Sequence, residues 1–436
     1  MQEDRFNQDF FQFLQGSPTP FHAVSSMAGK LRDAGFHQLV ETEPWPLAPG
    51  NSYFIIRDNG ALVAFTLAAK DYQNQGFRIV GTHTDSPALQ IKPLGGKASH
   101  SFFQLGVEVY GGPLLATWFD RDLSIAGRVV CATTEGILTT LLIDFKRPVA
   151  IIPSLAIHLD REANNGRTIN KQQELVPIFS QITGGDALNF SSILGEQIKK
   201  EYPDTQIATI MGFDLFCYAC QPPSLLGLGN EFITGSRLDN LLSCFVGVTA
   251  MTETRADNNR LLICNNHEEI GSITAAGAQG SFLHSTLKRI MPDSVSRHRA
   301  LRGSFFISMD NAHGVHPNFS DKSDPEHMPL LNHGPVLKTN ANQRYATTSV
   351  SGAIYKTIAA EAGVVTQDFV MRSDMACGST IGPHTAARLG IPTVDVGAPT
   401  LAMHSIREMT GSHDPFLLYK TINRFLTRDR IPQTNG

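Results

Sequence analysis

The sequence predicts an α/β protein: a mixed, mainly parallel sheet flanked by helices, interrupted by an inserted β-rich domain. Three observations carry this. After residue 229, apolar strand-sized runs alternate with helical periodicity, as βαβ units do. Residues 93–229 instead hold many short β-type runs broken by glycine, proline and polar turns, with helix periodicity scarce before about Ala187. Finally, polar clusters rich in His, Asp and Glu recur just beyond predicted strands, where open α/β sheets gather their functional groups.

Taken in order, residues 6–14 have the apolar spacing of a short helix, stopped at Gly16-Ser17-Pro18-Thr19-Pro20, and residues 27–34 suggest a second. Residues 53–57, 61–68 and 77–82 read as strands. The first two form a hairpin around Asp58-Asn59-Gly60, since Asn-Gly favours the tight turn between paired strands. Residues 104–110, 126–131 and 149–152 are strands of the insertion. Beyond it, helices are expected at 239–254, 275–284, 347–362 and 413–426, and strands at 261–265, 304–309, 366–371 and 393–396. The expected domains are residues 1–92 with 230–436, and the insertion 93–229. A chain of 436 residues exceeds a single core's usual capacity, which agrees with two domains.

Composition narrows the function. Hydrophobic residues make up 42% and charged residues 17%, ordinary for a globular protein. The net charge of −4, from 36 Lys+Arg against 40 Asp+Glu, gives no basic footprint for nucleic acid and no polybasic segment for a membrane. The start Met1-Gln2-Glu3-Asp4-Arg5 lacks the pattern of a signal peptide, and apolar runs are too short to span a bilayer. Six scattered cysteines do not suggest a disulfide framework, and the lone Cys217-Tyr218-Ala219-Cys220 reads as structural thiols before it reads as a zinc or redox site. The expected compartment is the cytoplasm.

Five clusters carry the chemistry: Thr82-His83-Thr84-Asp85, Ser236-Arg237-Leu238-Asp239-Asn240, His267-Glu268-Glu269, Asp310-Asn311-Ala312-His313 and Met403-His404-Ser405-Ile406-Arg407-Glu408. Alone, each has an ordinary explanation: a hydrogen-bonded histidine, an N-cap aspartate, a solvated turn. Together they supply what a two-zinc hydrolase needs, a carboxylate bridge plus further N and O ligands. Neighbouring glutamates at a strand end diverge, so one can coordinate a metal while the other accepts a proton from the attacking water.

These stretches, with Thr117-Trp118-Phe119-Asp120-Arg121-Asp122-Leu123, Ile157-His158-Leu159, Gly314-Val315-His316-Pro317-Asn318 and Arg372-Ser373-Asp374-Met375-Ala376-Cys377-Gly378-Ser379-Thr380, resemble the aspartyl aminopeptidase family of dinuclear zinc metallopeptidases over essentially the whole chain. The resemblance implies a zinc-peptidase/phosphorylase-like fold and two Zn2+ per subunit, with Mn2+ or Co2+ able to substitute. It implies that Asp239 bridges the metals, that His83 and Asp310 complete one site, and that Glu269 and His404 complete the other. Glu268 would be the general base. His158 would reach a neighbouring subunit's active site, and His313, Lys338 and Tyr345 would contact substrate, Lys338 meeting an acidic side chain. The insertion would serve dimerisation, and dimers would build a tetrahedral homododecamer acting on peptides. Three alternatives stay open: the same mechanism with neutral or basic N-terminal preference, a carboxypeptidase or deacylase on a similar domain, and a structural or cargo-shell oligomer.

Overall fold

The computed structural model describes residues 2–182 and 188–432; the expected onset of helix periodicity at Ala187 lies outside them. The chain divides into two compact units. One comprises Met1–Asp85, Pro223–Met403 and Glu408–Gly436, the other Ser86–Pro222 with His404–Arg407. Among the described residues, no helix is long and apolar enough to cross a membrane.

The first unit is α/β, as its alternation predicts. Its nine-stranded sheet runs His37–Gln38, Ser52–Arg57, Ala61–Thr66, Arg260–Asn265, Arg78–His83, Phe305–Met309, Thr393–Gly397, Val336–Thr339, Gln367–Val370. The four central strands from Arg260–Asn265 to Thr393–Gly397 are mutually parallel. Both faces of these strands are covered, which explains their unbroken apolar runs. Leu262 and Cys264 turn towards helices Glu3–Gln15, Pro20–Asp33, Leu238–Glu253 and Asp414–Thr427. Leu261 and Ile263 turn towards Phe282–Ile290 and Ile381–Leu389. A smaller five-stranded sheet joins Ser224–Leu226, Phe232–Gly235, Glu408–Gly411, Pro399–Leu401 and Ala312–His313.

The second unit is a six-stranded antiparallel sheet, built from Leu138–Asp144, Leu123–Thr133, Ile207–Ala219, Ala88–Ser99, Phe102–Tyr110 and Ile178–Gln181. Its helix Phe190–Glu201 buries Phe190, Leu194 and Ile198 in that unit's own core. Residues 149–152, expected as a strand, make only isolated bridges to Leu123 and Ile178, because Pro148 and Pro153 bracket them and remove ladder donors.

Local departures have local causes. The second helix starts at Pro20, not residue 27, because Thr19 caps it and Pro20 suits its first turn. The expected helix at 275–284 becomes Phe282–Ile290. Gly277 explains this: a Cβ there would lie 2.3 Å from the Ser272 carbonyl, so residues 275–280 pack as a tight loop. In the hairpin turn, the left-handed residues are Asp58 and Asn59. Gly60 is required for close approach instead, since a Cβ would meet the Asn266 side chain at 2.3 Å. Helices Ser294–Arg302 and Ile381–Leu389, not expected from the sequence, are short and weakly patterned.

Candidate metal centre

Parallel pairing brings the carboxyl ends of three central strands to one edge of the first unit. Asn265 pairs with His83, and Ser308 with Gly81. His83 therefore ends one strand, Asp310 follows the next, and the turn Glu268–Ile270 follows the third. Asp239 enters at the first turn of Leu238–Glu253, tied down when the Asn240 Nδ2 donates to the Met309 carbonyl at 2.8 Å. The peptide between Asp239 and Asn240 is cis.

His83 lies at the centre. Its Nδ1 faces the Asp85 carbonyl at 3.1 Å. A carbonyl only accepts, so in the neutral ring Nδ1 carries the proton and Nε2 the lone pair. That Nε2 is 3.4 Å from Asp239 Oδ1 and 3.6 Å from Asp310 Oδ1. Ligand atoms of His83, Asp239 and Asp310 lie within 4.8 Å of one another, as do those of His83, Glu268 and Glu269. One imidazole among carboxylate oxygens is a donor set that suits divalent cations, including zinc. The residues fit the group.

The electrostatics show the same need for cations. Burial opposes protonation of His83, yet the carboxylates of Asp239, Asp310 and Asp85 outweigh it and hold its pKa well above the usual value. Burial and the carboxylates of Asp310, Asp85 and Asp239 push Glu268 up to about 8, against an opposing effect of His83. Glu269 is also raised, first by burial and then by Asp239. Without cations the cluster holds protons in their place.

Asp85 and Glu408, given no role of their own in the sequence clusters that contain them, tie site residues down. Asp85 is buried, and its two carboxylate oxygens accept the N–H groups of Glu268 and Glu269 at 3.1 Å each. It thus fixes the glutamate turn and the His83 ring together. The spacing Thr82-His83-Thr84-Asp85, a carboxylate two residues beyond a candidate ligand histidine, was the available signal. Buried Glu408 accepts from the Asp239 N–H at 3.1 Å, and nothing in its cluster sets it apart from its neighbours.

The remaining expected site residues fall as follows. Lys338 is buried; its Nζ donates to the Asp310 carbonyl at 2.8 Å and the Asn311 carbonyl at 3.2 Å, and stands 3.7 Å from Asp310 Oδ2. Tyr345 is buried beside it, its ring centroid 5.2 Å from Nζ, and burial raises its pKa. His313 is exposed, with its ring 5.8 Å from that of Phe369. His404 and His158 belong to the second unit. The His404 Nδ1 donates to the Gly112 carbonyl at 3.1 Å, which again leaves Nε2 as the lone-pair nitrogen. His158 is exposed on a turn with Leu155, Ile157 and Leu159 exposed around it. Cys217 and Cys220 are free thiols pushed by burial to about 12 and about 11, values of unreactive cysteines.

Residues 13–426 match the family described as aminopeptidase I zinc metalloprotease (M18). The chain is 48% identical over 429 residues to the probable M18 family aminopeptidase 2 of Stutzerimonas stutzeri (strain A1501), covering 98% of this chain and 100% of that protein. Among solved structures, the chain in a cryo-electron microscopy complex of Ape4 and Nbr1 aligns with a TM-score of 0.94 at 38% identity, covering 98% of this chain and 86% of that one. The mApe1 dodecamer of S. cerevisiae aligns at 0.83 and 28% identity, covering 97% of this chain and 96% of that one.

Proposed function

Since this chain belongs to the aminopeptidase I zinc metalloprotease (M18) family and is an aminopeptidase of that family, we propose that it releases N-terminal residues, preferentially Asp and Glu, by a two-metal mechanism. The observation that carries this reading is the convergence of His83, Asp239 and Asp310 beside Glu268 and Glu269. The residues that would hold the ions are His83, Asp239, Glu269 and Asp310, with His404 carried over from the sequence resemblance.

Divalent ions held there, zinc above all, would supply Lewis acidity and lower the pKa of water towards neutrality. The rest falls to the chain. The carboxylates around Asp239 offer a seat to a substrate's free α-amine, which restricts action to N-termini. Glu268, buried among carboxylates, accepts the attacking water's proton and returns it to the departing amine. His158 of a neighbouring copy stabilises the developing oxyanion, with His313 and Tyr345 lining the substrate site. That role requires a homo-oligomer. The exposed Leu155, Ile157 and Leu159 beside His158 and the dodecameric relative support a homododecamer built from dimers through the second unit. Six free cysteines fit the cytoplasm.

Acidic preference rests on Lys338. A buried ammonium favours a carboxylate ligand by charge, although two of its N–H groups are engaged by backbone carbonyls. Lys338→Ala is expected to lower turnover of N-terminal Asp and Glu far more than of Leu; an equal fall on all three removes the lysine from selectivity. For the mechanism, Glu268→Gln is expected to retain metal and lose activity by about 10²–10⁴-fold. Wild-type rates in a metal-replete sample would exclude Glu268 as the base. Free-amine and N-acetylated peptides, compared on the same enzyme, separate this reading from a carboxypeptidase or deacylase.

A further inference from the structure

Asp395 is fully buried in the strand Thr393–Gly397, yet it belongs to no metal cluster among the described residues. Its carboxylate accepts the Ala346 N–H through Oδ2 and the Thr380 hydroxyl through Oδ1, both at 2.6 Å. Its own N–H donates to the Thr347 hydroxyl at 2.9 Å. Gly382 leaves room for the group, since a Cβ there would stand 2.3 Å from Asp395 Oδ2. Burial raises the Asp395 pKa, and the Lys338 ammonium opposes that rise.

The partners come from two separate loops. One, residues 340–348, carries Tyr345 next to Ala346; the other, residues 371–380, ends at Thr380. A second tie joins the same loops, the Ser379 hydroxyl donating to the Arg344 carbonyl at 3.2 Å. Tyr345 in turn packs by Lys338 and by Phe369, whose ring is 6.5 Å away. A single buried carboxylate thus fixes both loops to its own strand, which pairs with the strand Val336–Thr339 that carries Lys338. Hydrogen bonds to a charged group in a dry setting are strong, so the arrangement resists displacement.

We propose that Asp395 is a specificity-determining positioning residue, holding Tyr345 and the 371–380 loop around Lys338 so that the site discriminates the substrate's N-terminal side chain. This rests on the reading that Lys338 and Tyr345 face substrate. Asp395 touches no reacting atom; it acts through the loops it pins.

The test is steady-state kinetics of metal-replete, full-length Asp395→Asn on peptides beginning with Asp, Leu and Lys, with metal content and thermal midpoint measured alongside. Asparagine keeps the shape but loses the charge and one acceptor. Loss of one such hydrogen bond corresponds to about tenfold, so KM for the preferred N-terminal residue is expected to rise about tenfold. The kcat should change little, metal content should hold, and the ratio between preferred and disfavoured peptides should shrink. A merely structural role would instead lower the thermal midpoint while leaving that ratio unchanged, and this result overturns the proposal. Thr380→Val, which removes one donor and leaves the carboxylate in place, should shift the ratio in the same direction by a smaller factor. It decides the matter if Asp395→Asn does not fold, and an unchanged ratio in Thr380→Val then overturns the proposal. Lys338→Ala separates the two levels: an unchanged preference there defeats the underlying reading. A changed preference there, with an unchanged ratio in both Asp395→Asn and Thr380→Val, defeats only this inference.

Discussion

Two groups of buried charge sit on the same sheet and are balanced in opposite ways. Around His83, the carboxylates of Asp85, Asp239, Asp310, Glu268 and Glu269 face one imidazole; Glu268 is pushed up to about 8, and burial raises Glu269 as well. Around Asp395, one carboxylate accepts a hydroxyl and a backbone N–H and feels the charge of the Lys338 ammonium. Burying an unbalanced set of charges is costly unless cations arrive, whereas a balanced set is stable as it stands. The first arrangement marks a place for ions; the second holds protein to protein.

The comparison can be broken most sharply at Asp239. Asp239→Ala removes the carboxylate nearest the His83 Nε2, and metal affinity should fall by more than the roughly 100-fold that supporting partners typically carry. Asp85→Asn comes next. It leaves every proposed ligand in place but loosens the Glu268 and Glu269 N–H groups, so a loss of about 10–100-fold in metal affinity is expected by competitive chelator titration. An unchanged affinity would reduce Asp85 to a structural cap.

Proton linkage sharpens the contrast further. Glu268 and His83 both have raised pKa values in the folded metal-free protein. The Glu268 contribution to metal-free stability is complete below the unfolded glutamate value and is lost as pH rises through about 8; the His83 contribution is complete below the ordinary imidazole value and is lost as pH rises above it. Thermal midpoints of metal-free protein should therefore fall from pH 5 to pH 8.5. Metal should release protons on binding, visible as a buffer-dependent calorimetric heat, and should bind more tightly as pH rises. The smallest effect is a control. Thr348 caps the helix Ser349–Glu361 and belongs to no metal cluster among the described residues, and Thr348→Ala should cost about 1 kcal/mol of stability by denaturant titration, with metal affinity unchanged.

What was legible in the sequence follows from how each feature is encoded. The apolar runs at 261–265 and 305–309 announce strands covered on both faces, because their periodicity survives any tertiary detail. The His83, Asp239, Glu268, Glu269 and Asp310 clusters were visible because strand ends and turns concentrate them in short motifs. The loop at 275–280 was not, since its need for glycine arises from the Ser272 carbonyl packed against it. Asp395 was equally hidden. It sits within an apolar strand, and its partners lie 15 and 49 positions away in sequence. Lys338 stands out in the sequence only through the resemblance, since its burial against the Asp310 carbonyl is a tertiary fact.

The most direct measurement is the metal content of purified protein after zinc reconstitution and dialysis, read by elemental analysis beside Asp239→Ala. Two ions per chain in the native protein, with a marked loss in the variant, is the predicted result. Native protein that retains no zinc above the Asp239→Ala background would contradict the assignment of this cluster to cations.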